Sequence, residues 1–405
     1  MTIRIVAACI TLIYFPCLAS GIQPCQTQEV KADMENTSLV PGQIEFALDL
    51  YRQLSQDPGN LFFSPFSLTT ALAMTYAGAR GDTEGEMAAT MHFPADQQVV
   101  HDNLAALQAA LIQNEKNSTC RLALANRLWG QRGLSFLPAF LQTTREAYAA
   151  ELTTLDFGIQ PDAARATINE WVASRTEDKI LDLLQPGDID TETVLVLTNA
   201  IYFHARWALT FPAEQTRALP FHISATEQTT TEMMNGSGKF AYAGLPEIEV
   251  LQLPYAGREL AMVIMLPREL AGLSALEASL NPLRLQEMLD GLREQEMGVL
   301  LPRFSLNSRF ELQDVLRKMG MVKAFSAEAD FSGMTDQRGL SIDRVIHEAT
   351  IEVDEQGTEA AAATAVVLKR GPRPFRADHP FLFLIRDLRT GCVLFMGRVV
   401  EPTAS

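Results

Sequence analysis

Nothing in the 405 residues reads as a linker: no Pro-, Gly- or Ser-rich run, no block of like charge and no internal repeat marks a boundary. Length alone would admit two or three domains of ~150 residues each, so this absence favours one large domain. Cysteine is scarce, five in all. If an N-terminal segment carrying Cys9 and Cys17 is removed, Cys25, Cys120 and Cys392 remain, an odd set without metal-ligand spacing. That excludes a disulfide framework and a zinc site and leaves room for one internal bridge at most. Positive charge is also short. The net charge is -16, and loss of a leading segment whose only charge is Arg4 makes it -17. Nucleic acid and anionic membrane are therefore excluded as partners of the body. A content of 47% hydrophobic and 20% charged residues excludes disorder and supplies a large core.

The chain also lacks a long membrane-spanning run. MTIRIVAACITLIYFPCLAS places Arg4 before an apolar stretch from Ile5 to Leu18, too short to cross a bilayer comfortably. It reads as a signal peptide over residues 1–20, with Cys17 and Ala19, or Ala19 and Gly21, as the small pair before cleavage. The competing reading is a buried N-terminal strand, and the polar QPCQTQEVKADMENTS that follows argues against it. No small-residue lipobox precedes Cys17 or Cys25, so the expectation is export without a lipid anchor, to the extracellular space or a periplasm. Residues 21–40 read as a flexible segment and 41–402 as a single domain. Asn36, Asn117 and Asn235 lie in N-x-S/T sequons whose occupancy the sequence leaves open.

Catalytic signatures are missing too. HEATI, beginning at His347, is half of HExxH but has Ile351 where the second zinc ligand must sit. NGSGKF (235–240) ends like a phosphate loop, yet Met233 replaces the first glycine and Phe240 the metal-binding hydroxyl. No GxSxG elbow appears. No cofactor and no metal are expected.

What is present is an interspersed set of helices and strands. PGQIEFALDLYRQLSQ puts Ile44, Ala47, Leu48, Tyr51 and Leu54 on one helical face, with Pro41 in a first turn. LFFSPFSLTTALAMTYAGA reads as a short strand and a deeply buried helix. ETVLVLTNAIYFHARW, a hairpin of EVLQLPYAG and ELAMVIMLP, and MGVLLPRFSL read as strands. ELQDVLRKMG is helical, RVIHEATIEV alternates like a strand, and HPFLFLIRDLRTGCVLFMGRVV is a strand, a turn and a strand. Without a regular βαβ alternation, the fold class is α+β with large, mostly antiparallel sheets.

One stretch resists this reading. DEQGTEAAAATAVVLKRG (354–371) carries four consecutive alanines, the best helix formers, directly after a strand. A surface helix over 358–370 is one reading of it. The stretch and its neighbours also resemble the serpin family, through NLFFSPFSLTTALAM (60–74), TNAIYFHARW (198–207), VIHEATIEVDEQGTEAAAATA (345–365), FRADHPFLFLIRD (375–387) and LFMGRVVEP (394–402), five motifs in order from about Pro41 to Pro402. The resemblance implies three β-sheets with eight or nine helices, and an exposed reactive-centre loop at about 357–376 that baits a protease. After cleavage the loop inserts into the largest sheet and drags the acylated protease with it.

The alanines then have a physical role, because only small side chains slip quickly between two strands. Alternation points Thr358, Ala360, Ala362 and Thr364 to one face and Glu359 to the other. No proline occurs from Glu355 to Gly371, and Pro372 and Pro374 follow where insertion must stop. The resemblance makes Glu355, Gly357, Thr358, Glu359, Ala360, Ala361, Ala362, Ala363 and Thr364 the hinge. Counting along the family's loop ends at Gly371-Pro372, a bond serine proteases rarely cut, and this loop looks several residues short. Arg370-Gly371 is chemically the better reactive bond, with Lys369-Arg370 second. Lys369, Arg370, Arg373 and Arg376 form a basic cluster suited to a trypsin-like enzyme, against a competing reading as a solvated basic turn. Ser64, Ser67, Asn199 and His347 match the cluster where the family's main sheet opens, and Trp207 the aromatic at the breach, with Ala205 where many relatives have glycine. The helix-like HDNLAALQAALIQ (101–113) carries no basic stripe for polysaccharide. The expectation is an irreversible suicide-substrate inhibitor, monomeric before it meets its serine protease. The alternative is a non-inhibitory serpin acting as carrier, chaperone or mere protease substrate.

Overall fold

A computed structural model describes residues 39–117, 120–358 and 374–403, all within the second of the chain's two units, Leu39–Ser405. Nine α-helices and fifteen strands occur among the described residues. The order is α1 (Val40–Leu54), β1 (Leu61–Phe63), α2 (Pro65–Tyr76), α3 (Gly81–Met91), α4 (Gln97–Asn117), β2 (Cys120–Gln131), α5 (Pro138–Tyr148), β3 (Glu151–Leu155) and α6 (Pro161–Arg175). Then come β4 (Leu195–Arg206), β5 (Arg217–His222), β6 (Gln228–Gly244), β7 (Ile248–Pro254), β8 (Leu260–Pro267), α7 (Leu273–Ser279), α8 (Pro282–Asp290), β9 (Arg293–Pro302), β10 (Phe304–Glu311) and α9 (Gln313–Lys318). The chain closes through β11 (Ile346–Val353), β12 (Gly357–Thr358), β13 (Phe375–Arg376), β14 (Phe381–Asp387) and β15 (Val393–Val399).

These elements form where the pattern demands them. Pro41 sits in the first turn of α1, and Ala47, Leu48, Tyr51 and Leu54 are buried along one face. Phe46 and Leu50 are buried as well, so that face is wider than the sequence suggested. All of α2 but Ala71 is buried, which explains a helix with no polar stripe. Every residue of β8 is buried, as its continuous apolar run implies, while β11 alternates so that His347, Ala349, Ile351 and Val353 point inward.

Three sheets result. The largest has the order β1-β15-β14-β8-β7-β6-β9-β13, with β5 added beside β6. A four-stranded sheet runs β12-β4-β2-β3, and β10 pairs with β11 alone. All ladders are antiparallel except β13 with β9 and β2 with β3. Among the described residues no ladder joins β4 to β11; the two-residue β12 is hydrogen-bonded to β4, with Gly357 opposite Arg206 and Thr358 opposite Ala205. Thr358 is thus extended, and the remaining residues of the 358–370 stretch, for which a helix was one reading, lie outside the described part.

The phosphate-loop fragment has a packing role. Gly236 and Gly238 lie in β6, where an added Cβ would come 2.8 Å from the Phe211 ring and 2.8 Å from Leu209 Cδ1. The missing side chains let the 208–211 segment lie flat on the strand. Phe62 of β1 stacks on Phe395 (5.3 Å between centroids) and Phe383 (5.9 Å), joining β1 to the heart of the large sheet. Phe62→Ala removes a fully buried ring and is expected to cost ~3–5 kcal/mol. A lowered urea midpoint at unchanged slope is the expected readout, and an unmoved midpoint would contradict this packing.

Candidate functional site

The site is the seam between β4 and β11, and two clusters hold it. The first lies where α2 begins. Ser64 caps that helix by accepting from the Ser67 amide (3.1 Å), and its hydroxyl donates to the Leu394 carbonyl of β15 (2.6 Å). The Ser64 amide donates to His347 Nε2 on β11 (3.0 Å), which leaves the ring proton on Nδ1. One serine therefore ties α2, β11 and β15 together. Burial pushes the His347 imidazole down from 6.5 to about 3. The Ser67 hydroxyl is buried without a protein partner among the described residues. Asn199 lies on the facing strand β4, opposite Asn126 of β2, and its side chain is outside the description.

The second cluster sits at the top of the seam, where β11 turns into β12. Asp354 and Gly357 bridge each other, and the Asp354 carboxylate accepts from the Gln356 (2.9 Å) and Gly357 (3.2 Å) amides, closing a two-residue turn. Gly357 has φ +147°, and a Cβ there would meet the Ala205 carbonyl oxygen at 2.1 Å, so only glycine fits. Trp207 brackets the turn: its indole N–H donates to the Asp354 carbonyl (2.9 Å) and its amide to the Gln356 carbonyl (2.8 Å). Tyr255 stacks on that indole at 4.6 Å, and the Phe211 amide donates to the Glu355 carbonyl (2.8 Å). The Glu355 side chain, 6% exposed, takes Arg303 Nη2 at 2.6 Å and Nε at 2.8 and 2.9 Å, and accepts from the Thr216 hydroxyl. Burial alone would raise its carboxyl; the hydrogen bonds from Arg303 and Thr216 outweigh that and hold it below its ordinary value.

Among the described residues the arrangement holds no catalytic triad. It is a pair of strands facing one another across a seam, with a hinge already paired to one wall. A sequence-family profile described as serpin (serine protease inhibitor) matches residues 41–402. The chain is a serpin. It is 40% identical to the leukocyte elastase inhibitor of Bos taurus over 371 residues, 88% of this chain and 97% of that protein. An uncharacterized serpin-like protein of Thermococcus kodakarensis is 38% identical over 386 residues, 94% of this chain and 89% of its own length. Among solved structures, uncleaved ovalbumin superposes with a TM-score of 0.81 at 32% identity, and a loop-inserted cleaved ovalbumin mutant with 0.83 at 33%. Each of these two matches covers 90% of this chain and 100% of the other. As a serpin it is a serine protease inhibitor and not an enzyme.

The structure of this serpin brings Ser64, Ser67 and His347 into one cluster and Trp207, Glu355, Gly357 and Thr358 into the other. Glu359, Ala360, Ala361, Ala362, Ala363, Thr364, Lys369, Arg370 and Gly371 lie outside the described residues. Cys392 is a free, buried thiol that burial pushes up in pKa, whereas Cys25 and the Cys120 side chain are not described. Arg303, Thr216 and Phe211 were missed by sequence reasoning. Their only signal is complementarity to the hinge, which three scattered residues of common types do not display.

The buried imidazole has a measurable consequence. Unfolded, His347 binds a proton below 6.5; folded, it does so only below about 3. Between those values the unfolded state holds the extra proton, so stability falls as pH falls, by up to about 1.4 kcal/mol per pH unit. Glu355 acts in the same direction lower down: its depressed carboxyl stabilises the fold above its unfolded pKa, a contribution lost as pH falls through the folded value. His347→Gln keeps an acceptor for the Ser64 amide and removes the titration. Urea unfolding at pH 6, 5 and 4 should show a shallower slope for this variant than for the parent; equal slopes would assign the effect elsewhere.

Proposed function

We propose that this serpin is a secreted, irreversible suicide-substrate inhibitor of a trypsin-like serine protease. The observation that carries the reading is the pairing of Gly357 and Thr358 with Arg206 and Ala205, at the head of a seam that no ladder closes among the described residues. After Glu359, small residues follow from Ala360 to Ala365. The protease serine attacks the Arg370 carbonyl, the Arg370-Gly371 bond breaks, the serine proton passes to the departing Gly371 amine, and an ester remains. Insertion then adds about a dozen strand residues at ~1 kcal/mol net per hydrogen bond, on the order of 10 kcal/mol to distort the bound enzyme. Lys369 and Arg370 support a carboxylate-lined specificity pocket in the target, and the leading residues 1–20 support export.

A second reading comes from the relatives named as leukocyte elastase inhibitors. An elastase-type enzyme has a small pocket, which Val366 or Val367 would fill better than arginine. The two readings separate on one measurement, because incubation with trypsin should release a C-terminal fragment beginning at Gly371, together with a detergent-stable covalent complex. A fragment beginning at Val367 or Leu368, and a complex only with elastase, would favour the second.

The hinge gives an independent test. Thr358→Arg forces a guanidinium into the seam early in insertion, at a desolvation cost of several kcal/mol. Insertion then lags while deacylation keeps its rate, so this variant should still be cut after Arg370 but consume many molecules per protease trapped. A stoichiometry equal to the parent's would show that the loop does not work by insertion from this hinge.

A further inference from the structure

The segment between α6 and β4 lies as a strap across the lower part of the seam. Its side chains Leu183, Leu184 and Ile189 are buried in one cluster with Trp129 of β2, and both Val196 of β4 and Ile346 of β11 pack against that cluster. The strap is thus seated over both walls, and the seat is incomplete. A cavity of about 60 Å³ remains, lined by Leu184, Asp188 and Ile189 of the strap, by Val196, and by Arg344 and Ile346 on the far side.

Two sets of ion pairs fasten the strap to the β10–β11 wall. Lys179 Nζ lies 3.4 Å from Glu352 Oε2 of β11, a partly exposed pair and therefore a weak one. Farther along, Asp188, whose side chain is 6% exposed, takes Arg309 Nη2 of β10 at 2.7 Å and Arg344 Nη1, at the entry to β11, at 3.3 Å. The Asp188 carboxylate also accepts from the Gln185 amide (2.7 Å), and Arg309 Nε donates to the Leu183 carbonyl (3.4 Å). Between the two fastenings the fit is poor. Thr350, on the same face of β11 as Glu348 and Glu352, has a buried hydroxyl with no partner among the described residues. Burial raises the Glu348 carboxyl above its ordinary value and the Asp182 charge on the strap adds to that, while Asn307 and Arg309 oppose it. Apolar packing lets surfaces slide, but two ion pairs on one buried carboxylate do not. Asp188 is therefore the contact that must break before the strap can lift from β11.

Glu311 supplies the way out. It stands on the same face of β10 as Arg309, is 52% exposed, and lies 3.6 Å from Arg309 Nη1 and 4.0 Å from Arg344 Nη1. Each guanidinium thus has one carboxylate on the strap and a looser one on its own wall. Losing a partner ordinarily strands a buried charge; here the arginines keep Glu311, and Asp188 leaves with the strap for water. We propose that Asp188 is a release catch on the seam: it holds the strap to the β10–β11 wall through Arg309 and Arg344, and Glu311 takes over both guanidiniums when the strap lifts and β4 and β11 part. The catch stands on these contacts; its consequence for protease trapping rests on the reading under Proposed function.

Asp188→Asn and Glu311→Gln, each in the full chain, separate a catch from general charge balance, because both remove one negative charge beside the same two arginines. Hydrogen–deuterium exchange over residues 176–189 reads the lifting of the strap without a protease. Asp188→Asn should speed that exchange several-fold, and Glu311→Gln should slow it several-fold, since the lifted state loses its relief partner. Any other pattern, including a shift of both variants in one direction, overturns the catch. If Asp188→Asn does not fold, Glu311→Gln decides alone: slowed exchange supports the catch, and unchanged or faster exchange overturns it. Against trypsin, Asp188→Asn should consume fewer molecules per protease trapped than Glu311→Gln, and equal consumption would overturn the link between catch and trapping. If exchange splits as expected while the parent forms no covalent complex, the catch stands and the inhibitor reading fails. If the complex forms and exchange does not split, the catch is wrong and the inhibitor reading stands.

Discussion

Among the described residues β4 and β11 stand side by side with no ladder between them, and the rest of the architecture follows from that open seam. β4 belongs to a ladder with β2, and β11 to a ladder with β10, so each wall of the seam is rigid on its far side. Between the walls the protein relies on a few side-chain and turn contacts. The Ser64 amide on His347 ties the middle of β11 to the start of α2, and Trp207, Phe211 and Arg303 fix the top. A sheet closed by its own ladder would be more stable and would leave nowhere for another strand to go.

The hinge cluster shows how such a seam is kept in register. Glu355 is a buried charge, a costly thing to leave unpaired, and Arg303 and Thr216 satisfy it from two separate connecting segments. Its net worth in stability is small compared with what it specifies, which is the position at which β11 ends and the turn begins. The stacked pair of Trp207 and Tyr255 serves the same end with an apolar surface, and its indole N–H reaches the one carbonyl that the Asp354 turn leaves pointing its way.

Much of this was legible in the sequence, for identifiable reasons. RVIHEATIEV announces β11 because alternation is written into neighbouring residues, and the same alternation puts His347 inward. LFFSPFSLTTALAM announces a buried helix because it has no polar face. The hinge clamp was not legible. Arg303 and Thr216 meet Glu355 only through the fold, and an ion pair between distant elements leaves no periodic trace. NGSGKF could be set aside as a ligand loop from its spacing, but the packing role of its glycines, which make room for Leu209 and Phe211, was not legible.

The two-residue turn at 354–357 bears on time as much as on shape. Because it sets β12 antiparallel to the end of β11 as a hairpin, each further residue that joined on the proposed mechanism would land beside one already placed, and no new loop would have to be closed. Hairpins zip in about 1–10 μs when nothing stands in the way. Conformational search is therefore not the slow step in extending this strand. On the proposed mechanism, what sets the pace is how fast β4 and β11 move apart, so the race against hydrolysis of an ester is timed by the walls of the seam and not by the chain that would enter it.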